Sequence, residues 1–310
     1  MDKAIILDIQ RMSTEDGPGL RTTVFFKGCS LSCKWCHNPE SIAFKSIVQW
    51  QKDRCIDCRT CIEFCPTNAI TFNDKGLFIN NDICKRCGIC VKECPTAALN
   101  MKGHEYELNA LVKELIKDKV YFGDNGGITL SGGEVLMQGE FAIKLLKALK
   151  EKGINTAVDT AGLVPLSILQ EALKYTDVLL YDLKLINPLE HKEHCGASNE
   201  AILSNLINIT KTDAKWRLWI RTPIIPSASD TVENIVGIAK FINDNLDGRV
   251  ENWELCAFNN LCRNKYEMLH QEWKYKDTQL MTKEKMELLV SSAKEVLNNK
   301  NIVRYTGATR

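Results

Sequence analysis

From about residue 105 onward the chain alternates between two hydrophobic rhythms. ELNALVKELIKDKVYF (107–122) and EFAIKLLKALKEKG (140–153) carry apolar residues at helical spacing, the second closed by glycine. GITLSG (127–132) and INTAVDT (154–160) are short, apolar runs of strand character. The alternation continues through strands at DVLLYDLK (177–184), WRLWIRTPIIP (216–226) and ENWELCAF (251–258), with helical stretches near 199–211, 231–245 and 282–298. TTVFFKGC (22–29) supplies the first strand. Such βα units predict an α/β fold with a parallel sheet covered by helices, and leave a barrel and a doubly wound sheet both open. No GxGxxG follows the first strand, so the dinucleotide fingerprint is absent.

Polar residues collect at the C-terminal ends of these strands. Strand by strand the ends carry Cys29, then Ser131-Gly132-Gly133-Glu134, Asp159-Thr160, Asp182 and Lys184, Arg221, and finally Asn259 and Asn260. In parallel α/β architectures that edge forms the active site. Residues 51–100 interrupt the pattern with a loop-rich stretch short on apolar periodicity, which reads as a small module inserted between 1–50 and 101–310.

Composition narrows the classes. Across 310 residues, 40 Lys+Arg stand against 39 Asp+Glu, a formal charge of +1 with no block of one sign. This gives no reason to expect nucleic acid or a membrane surface as a partner. No apolar run approaches the roughly 18 residues that cross a bilayer, and Asp2 and Asp8 stand where a secretory signal would be basic and then apolar. A cytoplasmic protein is expected.

Fourteen cysteines change the picture. Eleven lie within the first 94 residues, in groups at Cys29, Cys33 and Cys36, at Cys55, Cys58, Cys61 and Cys65, and at Cys84, Cys87, Cys90 and Cys94. In a reducing compartment such clustering points to metal binding rather than disulfides. The first group, CxxxCxxC, offers three thiolates from one loop. A structural tetrahedral site needs four ligands, so three leave a position open to substrate. A zinc loop completed by His37 or a distant cysteine is the competing reading.

CxxxCxxC with Trp35 before its last cysteine, followed by Gly132-Gly133-Glu134, resembles the radical S-adenosylmethionine superfamily. STEDGPGLRTTVFFKGCSLSCKWCHNPES (13–41), together with SGGEVLMQ, DTAG and YDLK, resembles more narrowly the activating enzymes of glycyl radical enzymes. The resemblance implies a partial, open parallel (β/α)6-type barrel with an inserted ferredoxin-like domain. It implies a [4Fe–4S] cluster on Cys29, Cys33 and Cys36, whose open iron chelates S-adenosylmethionine. It further implies cosubstrate contacts from Trp35, Cys36, His37, Gly132, Gly133, Glu134, Asp182, Leu183, Lys184, Arg221 and Asn259, with Glu134 accepting from the methionine ammonium. Asp159 and Thr160, with a carbonyl near Leu180, resemble the family's monovalent-cation site. Asp16 and Arg21 are implied contacts of an incoming protein loop. For Trp35 core packing is an equal alternative, and an isolated Asp182–Lys184 would read as a surface ion pair. The sequence departs from the family at Asn259, where many relatives carry histidine, and at Val135, where proline is common.

The runs Cys55–Cys65-Pro66 and Cys84–Cys94-Pro95 resemble two copies of the bacterial ferredoxin motif, in which the fourth cysteine serves the other cluster. That assigns Cys55, Cys58, Cys61 and Cys94 to one [4Fe–4S] cluster and Cys84, Cys87, Cys90 and Cys65 to a second. Two zinc ribbons are the competing reading. Fully ligated clusters serve electron relay from a low-potential reductant such as flavodoxin or ferredoxin, or stability. His191 and His194 fall in a polar stretch read as a solvated loop or helix end. Cys195, Cys256 and Cys262 lack mutual ligand spacing and read as packing residues or incidental thiols.

The implied function is removal of a Cα hydrogen from one glycine of a partner enzyme by the 5′-deoxyadenosyl radical, under anaerobic conditions. Two other readings stand beside it: a radical enzyme acting on a small molecule or peptide, and a multi-cluster electron carrier.

Overall fold

In the computed structural model, which describes residues 2–74, 76–212, 215–246 and 248–310, alternate residues of one large sheet divide between an apolar and a polar face. The strands are β1 (Lys3–Ser13), β2 (Arg21–Phe26), β3 (Ile47–Trp50), β4 (Ile70–Asn73), β5 (Gly76–Ile79), β6 (Leu99–Lys102) and β7 (His104–Glu107). They continue as β8 (Gly127–Gly132), β9 (Thr156–Thr160), β10 (Val178–Asp182), β11 (Arg217–Ile224), β12 (Val250–Ala257) and β13 (Val303–Thr306). Among the described residues the large sheet has nine strands in the order β13-β12-β11-β10-β9-β8-β2-β1-β7. It is parallel from β2 to β13, while β1 and β7 add antiparallel to one edge.

This order follows the sequence, so right-handed crossovers stack the connecting helices on one face. That face carries Val24, Phe26, Ile128, Leu130, Val158, Leu179, Tyr181, Leu218, Ile220, Trp253 and Leu255 into the main core. Helices Gly139–Glu151, Leu166–Leu173, Glu200–Thr210, Val232–Asn245 and Lys283–Val296 close it with Leu145, Leu146, Leu149, Leu169, Leu206, Ile235, Ile238 and Leu289. Each such side chain contributes about 1.5–3 kcal/mol on burial. The opposite face holds a small patch of Ala157, Val178, Leu180 and Trp219. Toward the strand ends it turns polar, with Ser131, Asp159, Asp182, Arg221 and Glu254.

The sheet exceeds the six strands expected. A bulge breaks the alternation of β1, whose apolar run AIIL is not strictly alternating, and the short edge strands β7 and β13 carry too little apolar alternation to be read in advance. The stretch 107–122 also divides, into an α-helix Leu108–Leu115 and a 3-10 turn Ile116–Tyr121 that buries Asp118 against Arg11 and Thr22.

Segment 47–102 is bounded by antiparallel pairing of β3 with β6, slightly outside the expected 51–100, and encloses the β4–β5 hairpin. It has its own core of Val48, Trp50, Cys61, Ile70, Leu77, Ile79, Cys90, Ala98 and Leu99. Its two halves repeat in backbone as well as sequence: Asp57, Arg59 and Asn68 have positive φ, as do the corresponding Arg86, Gly88 and Ala97. No helix among the described residues is long and apolar enough to cross a membrane.

Candidate active site

A cavity of about 530 Å³ opens where the parallel strands end. Cys29, Cys33 and Cys36 line one side of it, and Trp35, His37, Gly132, Gly133, Asp159, Thr160, Asp182, Lys184, Arg221 and Asn259 also border it. The cysteine loop is fixed from several directions. Gly28 and Cys29 donate backbone N–H to Ser41 and Ile42 carbonyls, while Ser32 and Lys34 donate to those of Cys195 and His194, at 2.8–3.1 Å. The Tyr266 hydroxyl donates to the Cys36 carbonyl at 2.9 Å, and the Trp273 indole to that of Lys34 at 3.1 Å.

Burial pushes the Cys29 thiol up to about 11 and that of Cys36 to about 12. Cys33 goes the other way: the neighbouring Cys195 thiol, helped by Lys184, outweighs desolvation and lowers its pKa. No three His, Cys, Asp or Glu side chains among the described residues converge tightly enough for one metal ion. The loop's three thiols all line the wall of the cavity. Beside them Ser30 Oγ and His194 Nδ1 are buried polar atoms without a hydrogen-bond partner.

Gly132 has φ +124°, and a Cβ there would stand 2.2 Å from the Phe26 nitrogen; one on Gly133 would stand 2.2 Å from the Gly28 carbonyl oxygen. Glycine is therefore required for this strand end to pass beside the cysteine loop. Glu134 departs from the sequence reading. It is 0% exposed and does not border the cavity. Its carboxylate accepts from Leu136 N, Ala161 N and the Thr160 hydroxyl, at 2.8–3.1 Å, so these bonds commit it to the protein rather than to an ammonium. Burial nonetheless raises its pKa to about 7, against those hydrogen bonds.

Asp159 and Thr160 are not brought together as a cation-binding pair. Adjacent on β9, they project to opposite faces. The Thr160 hydroxyl is committed to Glu134 and to Gly162 N–H, whereas Asp159 accepts from Ser131 Oγ at 2.7 Å. Burial lifts Asp159 to about 6 despite the charge of Arg221.

Asp182 and Lys184 form an ion pair inside the cavity rather than on the surface. Leu183 between them is a correction: it is 3% exposed and packs into the main core. Its carbonyl receives the Thr222 hydroxyl, so its side chain serves packing rather than the cosubstrate. Trp35 packs in the core at 4% exposed and also borders the cavity. Burial lowers the pKa of His37, against the opposing effect of the Asn259 backbone. The Asn259 side chain accepts from Leu261 N. Arg21 does not reach outward to a partner: fully buried, it donates to Thr129 Oγ1 and to the Pro18 and Ile128 carbonyls. Asp16 accepts from Ser13 and Thr23 hydroxyls.

The leftover cysteines are not incidental in position. Cys195 is fully buried against Cys33, Cys256 borders the cavity beside Arg221, and the Cys262 thiol faces the Cys36 carbonyl. The stretch read as solvated is a helix, Pro188–Cys195, capped by the Asn187 side chain. It buries His191, whose ring bonds the Ala197 carbonyl at 2.6 Å, and sets His194 6.0 Å from Trp35. Sequence spacing could not show this, because the partners are remote in the chain.

Two smaller cavities in segment 47–102 each gather four cysteines. One is lined by Cys55, Cys58, Cys61 and Cys94, the other by Cys65, Cys84, Cys87 and Cys90. The Cys65 sulfur accepts from Ala69 N and the Cys94 sulfur from Ala98 N, each at 3.2 Å. Against the opposing effect of burial, backbone and threonine hydrogen bonds lower the pKa of both thiols.

A family model described as a 4Fe-4S single cluster domain matches residues 15–203. The trans-4-hydroxy-L-proline dehydratase activating enzyme of Clostridioides difficile is 36% identical, over 91% of this chain and 93% of its own. The 4-hydroxyphenylacetate decarboxylase activating enzyme of Clostridium scatologenes is 36% identical, over 99% of this chain and 98% of its own. A radical S-adenosylmethionine methyltransferase from Sphaerobacter thermophilus, 12% identical, superposes with a TM-score of 0.53 over 93% of this chain and 67% of that one, a likeness of fold. With these relatives spanning nearly its whole length, the chain belongs to the glycyl radical enzyme activating enzymes of the radical S-adenosylmethionine superfamily.

Proposed function

We propose that the cavity at the strand ends is where this chain binds and cleaves S-adenosylmethionine, with Cys29, Cys33 and Cys36 holding a [4Fe–4S] cluster. The chain is an activating enzyme: with one electron it breaks the bond between the sulfonium and C5′, releasing methionine and the 5′-deoxyadenosyl radical. That radical takes a Cα hydrogen from a glycine of the partner enzyme, leaving 5′-deoxyadenosine and a glycyl radical. When bound, a [4Fe–4S] cluster supplies the electron and an open iron for the methionine amino and carboxylate groups.

The observation that carries this reading is the convergence of three cysteines from one loop with charged groups from β9, β10 and β11 on one cavity. The chain's own contribution is orientation and exclusion. Gly132 and Gly133 bring backbone beside the loop, while Lys184 keeps a positive charge near the three thiols. Leu31, Pro223, Ile225 and Phe258 supply apolar wall against water. We assign His37, Trp35 and Asn259, which border the cavity, to the adenosine end, and a monovalent cation would keep Asp159 alone as its side-chain ligand.

The grouping of eight cysteines into two four-cysteine cavities supports two further [4Fe–4S] clusters in a ferredoxin-like insertion, three clusters in all. They would carry electrons from a low-potential donor such as flavodoxin or ferredoxin toward the cavity, in a cytoplasmic, anaerobic setting. The sheet's sequential parallel order supports a partial barrel around this site.

The test is to supply the reconstituted, reduced protein with S-adenosylmethionine and candidate glycyl radical enzymes carrying Cα-deuterated glycine. Deuterium in the 5′-deoxyadenosine is the expected result. Unlabelled product with every candidate would send the radical to a different substrate, and no product from iron-loaded protein would overturn the assignment of the cavity.

A further inference from the structure

Segment 47–102 meets the rest of the chain at its two ends, where the Ser46 hydroxyl donates to the Gly103 carbonyl at 2.8 Å. A further tie comes from a remote part of the sequence. The imidazole of His270 stacks on the indole of Trp50, with ring centroids 5.8 Å apart and planes 17° from parallel, and lies 6.1 Å from the Phe78 ring. Trp50 is itself held from within the segment. Phe72 meets it edge-on at 6.4 Å, and Gly76 makes room for its ring, since a Cβ there would stand 2.2 Å from Trp50 Cη2. The same Trp50 lines the cavity of Cys55, Cys58, Cys61 and Cys94.

His270 closes the turn after the helix Arg263–Met268, in the left-handed conformation at φ +55°. Its N–H donates to the Glu267 carbonyl at 3.0 Å, and that of Gln271 to the Tyr266 carbonyl at 2.9 Å. The other side chains of this short stretch face the cysteine loop. The Tyr266 ring lies flat on Trp273, centroids 4.9 Å apart, and the two donate to the Cys36 and Lys34 carbonyls. Lys265 pairs with Glu40 at 2.8 Å, just beyond the loop. One piece of chain thus grips the loop Cys29–Cys36 with Tyr266 and Trp273 and segment 47–102 with His270.

We propose that His270 is a positioning residue for electron delivery: its stack on Trp50 holds segment 47–102 in fixed relation to the cysteine loop. This rests on the proposed clusters and on their relay of electrons. One electron passes from reduced flavodoxin or ferredoxin, through a centre in the segment, to the cluster at Cys29, Cys33 and Cys36; no bond forms or breaks, and His270 is not oxidised. Such transfer falls steeply with separation, so a segment free to rock on its two ends delivers electrons more slowly. A stacked ring pair, packed on both sides, resists that motion.

The test compares His270→Asn and His270→Phe with the parent in the full, reconstituted chain. His270 is exposed apart from this contact, so its replacement leaves no buried void. Asparagine tolerates the left-handed backbone and removes the ring, while phenylalanine keeps a ring. In His270→Asn, amide exchange at the junctions near Ser46 and Gly103 should rise about fivefold. Its formation of 5′-deoxyadenosine should slow about tenfold with reduced flavodoxin or ferredoxin, whichever drives the parent, yet stay within about twofold with dithionite, which reaches the cavity from solvent. His270→Phe should stay within about threefold of the parent in both measurements. Either measurement unmoved in His270→Asn overturns the proposal, as does an equal slowing with both reductants, or a His270→Phe that behaves as His270→Asn does. Failure of the relay itself looks different, and takes the proposal with it: Cys58→Ala would then keep the parent's rate with the protein donor.

Discussion

The guanidinium of Arg221 on β11 reaches past β10 to stand 3.6 Å from the carboxylate of Asp159 on β9. On its other side it lies 3.9 Å from Glu254, which Arg304 holds at 2.7 Å. Charges thus alternate across the polar face of the sheet, and Arg221 is shared by two buried acids. Replacing Arg221 with methionine keeps the bulk and removes the shared cation, which should cost about 3 kcal/mol. The loss should be larger near pH 8 than near pH 5, since Asp159 takes up a proton at about 6 or above and then needs no cation. Urea denaturation at the two pH values, without oxygen, measures both effects. An equal loss at both would remove Asp159 as the group that depends on Arg221.

Glu134 sets a second pH dependence. Its folded pKa of about 7 exceeds the ordinary 4.5, so the folded protein binds more protons than the unfolded chain between those values. Stability therefore falls as pH rises through that window, by an amount on the order of 3 kcal/mol. Glu134→Gln removes this dependence. It has its own cost of about 2 kcal/mol, because each carboxylate oxygen accepts from a backbone N–H and an amide would turn an NH2 toward one of them. The gap between parent and variant should be widest near pH 5 and narrow toward pH 8. A constant gap would show that Glu134 is ionised throughout.

How far such residues could be read in advance depended on where their partners lie. Asp182, Lys184 and Arg221 were legible because strand ends in a parallel sheet share one edge, and alternation places them on its polar face. Glu134 stood in the right motif and was still misassigned: Gly132 at φ +124° leads the chain so that the carboxylate turns to Thr160 and Ala161 instead of the cavity. Leu183 fell to the same rule that placed its neighbours, since it points to the opposite face. His191 looked solvated because its own segment is polar, and its ring is instead held by the Ala197 carbonyl; Cys195, read as a packing residue or an incidental thiol, is buried where the remote cysteine loop docks on its helix end. The crossed grouping of Cys65 and Cys94 was implied by the resemblance to ferredoxin runs, and the two cavities are lined in that grouping.

Gly133→Ala tests whether the glycine pair positions the cysteine loop. Its Cβ would stand 2.2 Å from the Gly28 carbonyl oxygen and 3.1 Å from that of Ser41, both backbone atoms that cannot rotate away. The strain is expected to reach about 3 kcal/mol and to displace the segment before Cys29. S-adenosylmethionine binding, followed by its effect on the cluster spectrum, should be lost. The eight cysteines of segment 47–102 lie outside this contact, and the iron proposed for them should be retained. A variant that binds S-adenosylmethionine as the parent does would mean that the backbone yields without disturbing the site.

The two four-cysteine cavities predict which replacements resemble each other. Cys65 precedes its own repeat's proline, yet it lines the cavity of Cys84, Cys87 and Cys90, while Cys94 lines that of Cys55, Cys58 and Cys61. Under the proposed two-cluster assignment, removing one thiolate weakens the centre to which it belongs and leaves the other with four ligands. Cys65→Ala should therefore reproduce the iron content and spectrum of Cys87→Ala, and Cys94→Ala those of Cys58→Ala. Exposed Cys58 and Cys87 make good reference positions because their replacement leaves no buried void. Mössbauer spectra of the four proteins, reconstituted with labelled iron, distinguish crossed from uncrossed grouping. If Cys65→Ala matched Cys58→Ala instead, each run would hold its own centre, and the crossing of the fourth cysteine would be wrong.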